Sequence, residues 1–178
     1  PALVQPQEPV LPKAALSLDP HLGLIEFISG VIAVYYPEIK DPGIIARQIV
    51  EQSQAENMDP LFIASITATE SSFKPHARSH KGAMGLMQLK PSTAREVLQK
   101  RLGGKGAPQL SDPAVNLRLG IHYLKQLERH YRSNRALALA AYNWGPANLD
   151  EALRSRSQVP SSVKQYARSI LEKTHRWN

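Results

Sequence analysis

The sequence predicts a mainly α-helical fold, and three observations carry that prediction. Asp-Pro pairs at 41–42, 59–60 and 112–113 each open an apolar-periodic stretch, the aspartate placed to cap and the proline at the first helical position. Apolar residues recur at spacings of three and four, as at Leu117, Ile121, Leu124 and Leu127. No segment alternates with period two over the length a strand needs, which leaves at most a short hairpin near "KGAMGLMQLK".

Residues 1–20 carry prolines at 1, 6, 9, 12 and 20 and read as an extended linker or arm. "HLGLIEFISGVIAVYY" then forms one helix stopped before Pro37, so residues 21–41 make a helical extension. Asp41 and Pro42 start a helix over "PGIIARQIVEQSQAEN", and Asp59 and Pro60 start the next over "LFIASITATESS". Ser92 or Thr93 opens a helix through Lys100, which "GGKG" breaks. Asp112 and Pro113 start the long helix of the Leu117 stripe. "RALALAAYN" is apolar on nearly every side and belongs in the centre, ended by Gly145 and Pro146. A last helix runs from about Ser161 to Lys173. The main domain is expected over residues 42–178.

At 178 residues the chain can bury a sizeable core without staples. The absence of cysteine excludes thiol catalysis, zinc–thiolate sites and disulfides. A net charge of +7 points to an anionic partner, and nucleic acid, a membrane surface and an acidic bacterial wall all qualify. Aromatics at 6% and scattered basic residues argue against nucleic acid. The proline-rich start without a methionine reads as a processed or trimmed terminus. The longest apolar stretch, 22–36, is interrupted by Glu26 and too short for a membrane span. His76 and His80 fall in a loop and are expected in solvent, so no metal site is expected.

Ile63, Ile66 and Glu70 share one helix face. A carboxylate on that core-facing stripe is partly desolvated, which raises its pKa and suits it to general acid work. The other reading is a solvated glutamate at a fraying helix end, and periodicity alone favours that one. The following loop shifts the balance. Gly82 and Gly85 let a ligand approach the backbone, Met84 and Met87 offer adaptable apolar wall, and Gln88 a neutral amide. Such a surface suits a sugar, although glycine turns and core methionines are equally served by these residues.

"ESSF" from Glu70, Ala77 with Ser79, "GAMGLMQL" from Gly82, "DPAVNLRLGIHYL" and "AAYNWGP" from Ala140 together resemble the soluble lytic transglycosylase domain. The likeness covers roughly residues 42–172. It implies a lysozyme-like helical fold that cleaves the glycan strands of bacterial peptidoglycan in the periplasm or cell envelope. By position, Glu70 matches the catalytic acid and base, and Ser79 a serine hydrogen-bonded near it. Gln88 matches a glycan-binding residue, Tyr142 and Asn143 a pair beside the acid, and Tyr166 a tyrosine of the last helix. Trp144 stands where relatives have a small residue and offers an indole to stack on a sugar or on the N-terminal extension. Lys90 stands where relatives often have Met.

Most glycosidases flank the bond with two carboxylates. After Glu70 the next acids are Glu96, in a polar helix pattern, and the cap Asp112. The resemblance implies that the substrate supplies the second group: its 2-acetamido stabilises C1, and its C6 hydroxyl attacks to give a 1,6-anhydro product. Neither metal nor cofactor is needed. Two other readings stay open: a hydrolytic muramidase, and a wall-binding module without turnover. The expected partner is the glycan strand, and the expected state a monomer. Any membrane or lipid anchor would lie outside this chain.

Overall fold

The computed structural model describes residues 20–178. The expected arm therefore lies outside the described residues except for Pro20, the first residue of helix α1. Eight helices appear among the described residues: α1 Pro20–Tyr35, α2 Pro42–Ala55, α3 Pro60–Ser71, α4 Pro91–Leu102, α5 Pro113–His130, α6 Arg135–Trp144, α7 Pro146–Arg154 and α8 Ser161–Trp177.

The three Asp-Pro starts behave as their chemistry dictates. The Asp41, Asp59 and Asp112 carboxylates accept from the amides of Gly43, Leu61 and Val115 at 2.9, 2.9 and 3.1 Å. Helix α6 has an aspartate-like start at Asn134, whose amide oxygen accepts from Leu137 N at 3.1 Å. Helix α4 differs from expectation. It begins at Pro91 with Lys90 at the N-cap, and no side chain caps it. Proline is preorganised for the first helical position, so Ser92 and Thr93 fall inside the helix.

Helix α3 is the central element. Leu61 through Ala68 are all buried, which an apolar run with small hydroxyl residues allows. Three of those hydroxyls spend themselves on the helix: Ser65, Thr67 and Thr69 each donate to the carbonyl four residues back. The helix ends with Ser72 and Phe73 both at positive φ, a costly left-handed pair held by complete burial of the Phe73 ring. Helices α1, α2 and α8 pack on α3. Helix α1 shares that core through Phe27, Ile28, Val31 and Ile32, and Phe27 meets Trp177 edge-on at 6.3 Å.

Trp177 also explains why α8 runs a turn beyond the expected Lys173: the indole is a buried anchor at the end of the chain. Pro146, read from sequence as a terminator, both ends α6 and starts α7, an element without a sequence signal of its own beyond that proline. The stretch around "KGAMGLMQLK" forms no strand among the described residues; its ladder is reduced to isolated bridges, Arg78 with Met84 and Met84 with Leu89.

Candidate active site

The C-terminal turn of α3 delivers Glu70 to the floor of a cleft of about 310 Å³. One wall is the loop after α3 with the start of α4: Ser79, Lys81, Ala83, Gln88, Lys90 and Thr93. The opposite wall comes from Tyr123 of α5 and from Tyr142, Asn143, Trp144 and Pro146 at the α6–α7 junction. Glu70 is the sole carboxylate lining this cleft among the described residues.

Burial pushes the Glu70 carboxyl up from 4.5 to about 7, against a smaller opposing pull from the Tyr166 hydroxyl. That hydroxyl donates to Glu70 Oε1. Oε2 is thereby the oxygen left to carry the acid proton. Near neutral pH the group is close to half protonated, so it can give a proton and then receive one. Tyr142 and Tyr166 are both held well above 10, first by burial and then by the adjoining Glu70 charge. Both phenols stay protonated. Tyr142 donates to Met87 O at 2.7 Å, and its ring lies 5.4 Å from that of Tyr123.

Buried hydrogen bonds and close packing hold the loop wall. Asn116 of α5 is fully buried; its Oδ1 accepts from Met87 N at 2.7 Å, and its Nδ2 donates to Met84 O and Leu110 O at 2.9 and 3.0 Å. Gly85, at φ +79°, lies against this amide: a Cβ there would stand 2.1 Å from Asn116 Nδ2 and 2.3 Å from Leu110 O. Ser71 Oγ adds a bond to Leu86 O at 2.8 Å, tying the loop to the helix that carries Glu70. Gln88, at φ +47°, donates both amide hydrogens inward, to Ala77 O at 3.1 Å and Gly85 O at 2.9 Å. Its carbonyl is left as an acceptor, so the amide read from sequence as donor and acceptor faces a ligand chiefly as an acceptor.

The structure sorts the expected residues. Glu70, Ser79, Gln88, Tyr142, Asn143 and Trp144 meet at the cleft. Ser79 Oγ accepts from Ala83 N at 3.0 Å, a turn within its own loop. Tyr166 stands behind Glu70 and reaches the site through that hydrogen bond, not as lining. Gly82 and Met84 lie off the lining, Gly82 exposed and Met84 half-buried. Met87, expected as groove wall, is a fully buried core residue: Gly120 is bare so that this side chain can fit, a Cβ there lying 2.4 Å from its sulfur. Tyr123 and Asn116 carried no motif of their own in the α5 stripe; only the likeness of "DPAVNLRLGIHYL" as a whole drew attention to that helix.

Residues 47–164 match the family described as the transglycosylase SLT domain. The chain belongs to that family. A membrane-bound lytic murein transglycosylase C of Mannheimia succiniciproducens is 39% identical to this SLT domain over 133 residues, 69% of the chain and 35% of the relative. A soluble lytic murein transglycosylase of Escherichia coli is 36% identical over 90 residues, 49% of the chain and 14% of the relative. Among solved structures, the lytic transglycosylase Slt of Pseudomonas aeruginosa superposes with a TM-score of 0.64 at 28% identity, over 86% of this chain and 29% of that one. The SLT domain described here thus spans about a third or less of the length of these relatives.

Proposed function

We propose that this domain is a peptidoglycan lytic transglycosylase, cutting the β-1,4 bond from N-acetylmuramic acid to N-acetylglucosamine and leaving a 1,6-anhydromuramyl end. The observation that carries the reading is a cleft with one carboxylate, raised to about 7, and no second acid on its walls among the described residues. Oε2 of Glu70 gives its proton to the bridging oxygen as the C1–O bond breaks. The substrate's 2-acetamido group stabilises the positive charge developing at C1, in the substrate-assisted manner. Glu70, now ionised, takes the proton of the muramyl C6 hydroxyl, whose oxygen bonds to C1. The carboxyl ends protonated as it began, no water is consumed, and no metal or cofactor takes part.

Around that centre Gln88 accepts a sugar hydroxyl or amide hydrogen, Asn143 and Ser79 add neutral hydrogen bonds, and Trp144 stacks on a pyranose face. Tyr142 and Tyr166 hold the loop and the acid. Residues 42–178 act as the catalytic unit, α1 as an added layer on its core, the monomer as the working state, and the periplasm or envelope as the setting. The test is Glu70→Gln, which keeps a Tyr166 acceptor and removes the titrating proton. It should fold and release no muropeptides from isolated peptidoglycan, and retained turnover would defeat the assignment.

A further inference from the structure

The cleft is charged on one side only. Lys81 and Lys90 line the loop wall, both exposed, and neither meets a carboxylate among the described residues. The wall cannot pair them internally, because residues 71–95 contain no Asp or Glu. Lys90 is moreover placed against local stability. It occupies the N-cap of α4, where α2, α3, α5 and α6 use Asp or Asn and α7 and α8 have no side-chain cap, and of these it alone puts an ammonium at the positive end of its helix. A residue that breaks its local rule without a compensating contact points to a role outside the fold.

We infer that Lys81 and Lys90 form a carboxylate-reading rim that selects glycan whose stem peptides carry free acidic groups. This rests on the reading of the cleft as a glycan site. The peptide hangs from the muramyl lactyl ether, beside the ring whose C1 lies over Glu70, so its carboxylates fall along a wall of the cleft. Two exposed ammoniums supply steering and a screened attraction, which acts on capture of the strand more than on the chemical step.

The experiment compares three substrates: stemmed glycan strands, the same strands with stem carboxylates coupled to ammonia as amides, and strands stripped of peptide to leave the lactyl carboxylate. Wild type should lose about fivefold in kcat/KM on amidation, through KM, and the loss should disappear in high salt. The Lys81→Ala/Lys90→Met variant should process the acidic and amidated strands alike, at the wild-type rate for amidated ones, with the pH profile of kcat unmoved. Lys81→Arg/Lys90→Arg should restore discrimination. Equal wild-type rates on acidic and amidated strands, or discrimination persisting in the Ala/Met variant, would overturn the inference. So would a variant whose loss is confined to stripped strands, because the rim would then read the lactyl group. Continued cleavage of amidated strands keeps the reaction assignment intact when the rim fails; absence of cleavage of every substrate fails the assignment instead.

Discussion

Replacing Glu70 by Gln should stabilise this protein while abolishing its activity, and the gain should depend on pH in a way that identifies its source. A rise of the folded carboxyl from 4.5 to about 7, at about 1.4 kcal/mol per pH unit, amounts to about 3 kcal/mol of stability withheld from the ionised wild type. The sign follows from which state holds the proton more tightly. Below about pH 4.5 the group is protonated folded and unfolded, and the variant gains nothing. As pH rises the unfolded chain ionises first, the folded state keeps its proton, and wild type loses stability until about pH 7, where the deficit levels off. Glutamine has no such deficit and still accepts the Tyr166 hydroxyl through Oε1. Urea or thermal unfolding of both proteins between pH 4 and pH 9 measures the difference directly, because every other titrating group cancels. At pH 8 the variant should melt roughly 6–12 °C higher, for a domain of this size. Equal stabilities at pH 8, or a gap as large at pH 4 as at pH 8, would refute the claim that desolvation of one carboxyl prepares the acid.

Other outcomes follow from the same contacts. Tyr166→Phe removes the hydrogen bond that pulls the Glu70 pKa down, so the carboxyl should titrate above about 7 and the alkaline limb of the pH–rate profile should move to higher pH. Asn116→Ala strips three hydrogen bonds from buried backbone and should cost about 2–4 kcal/mol in urea unfolding, with a larger fall in turnover than a distant core change of equal cost. Lys125→Met breaks the bonds from α5 to Glu56 O and Oε2 at 2.6 and 3.1 Å, which cap the end of α2. It should cost about 1–2 kcal/mol and leave muropeptide release unchanged, as that site lies outside the cleft.

The parts of this molecule that were legible in sequence are those where one residue's chemistry decides local geometry. Asp41, Asp59 and Asp112 announced three helices because a short carboxylate followed by proline has few better uses. Pro91 and Pro146 show the limit of that reading. Each starts a helix by its fixed φ without a side-chain cap, and at Pro146 the same residue also closes the helix before it, so α7 was hidden behind a stop signal. The candidate site divides in the same way. Glu70 could be suspected from Ile63 and Ile66, but its pKa depends on burial and on Tyr166, 96 residues away in sequence. Methionine suits both a groove and a core, so the sequence leaves both open for Met87; the bare Gly120 opposite decides for the core, and that contact exists only once α5 meets the loop. Asn116 and Tyr123 sit in an ordinary amphipathic helix, where pattern assigns a face and not a task.

The most direct test of the central claim is the mass of the products released from purified peptidoglycan digested in heavy-oxygen water. Attack by the substrate's own C6 hydroxyl predicts muropeptides lighter by one water than the reducing sugars, with no heavy oxygen at C1. Products bearing reducing ends labelled from solvent would contradict the account, because the second group at the scissile bond would then be water and not the sugar.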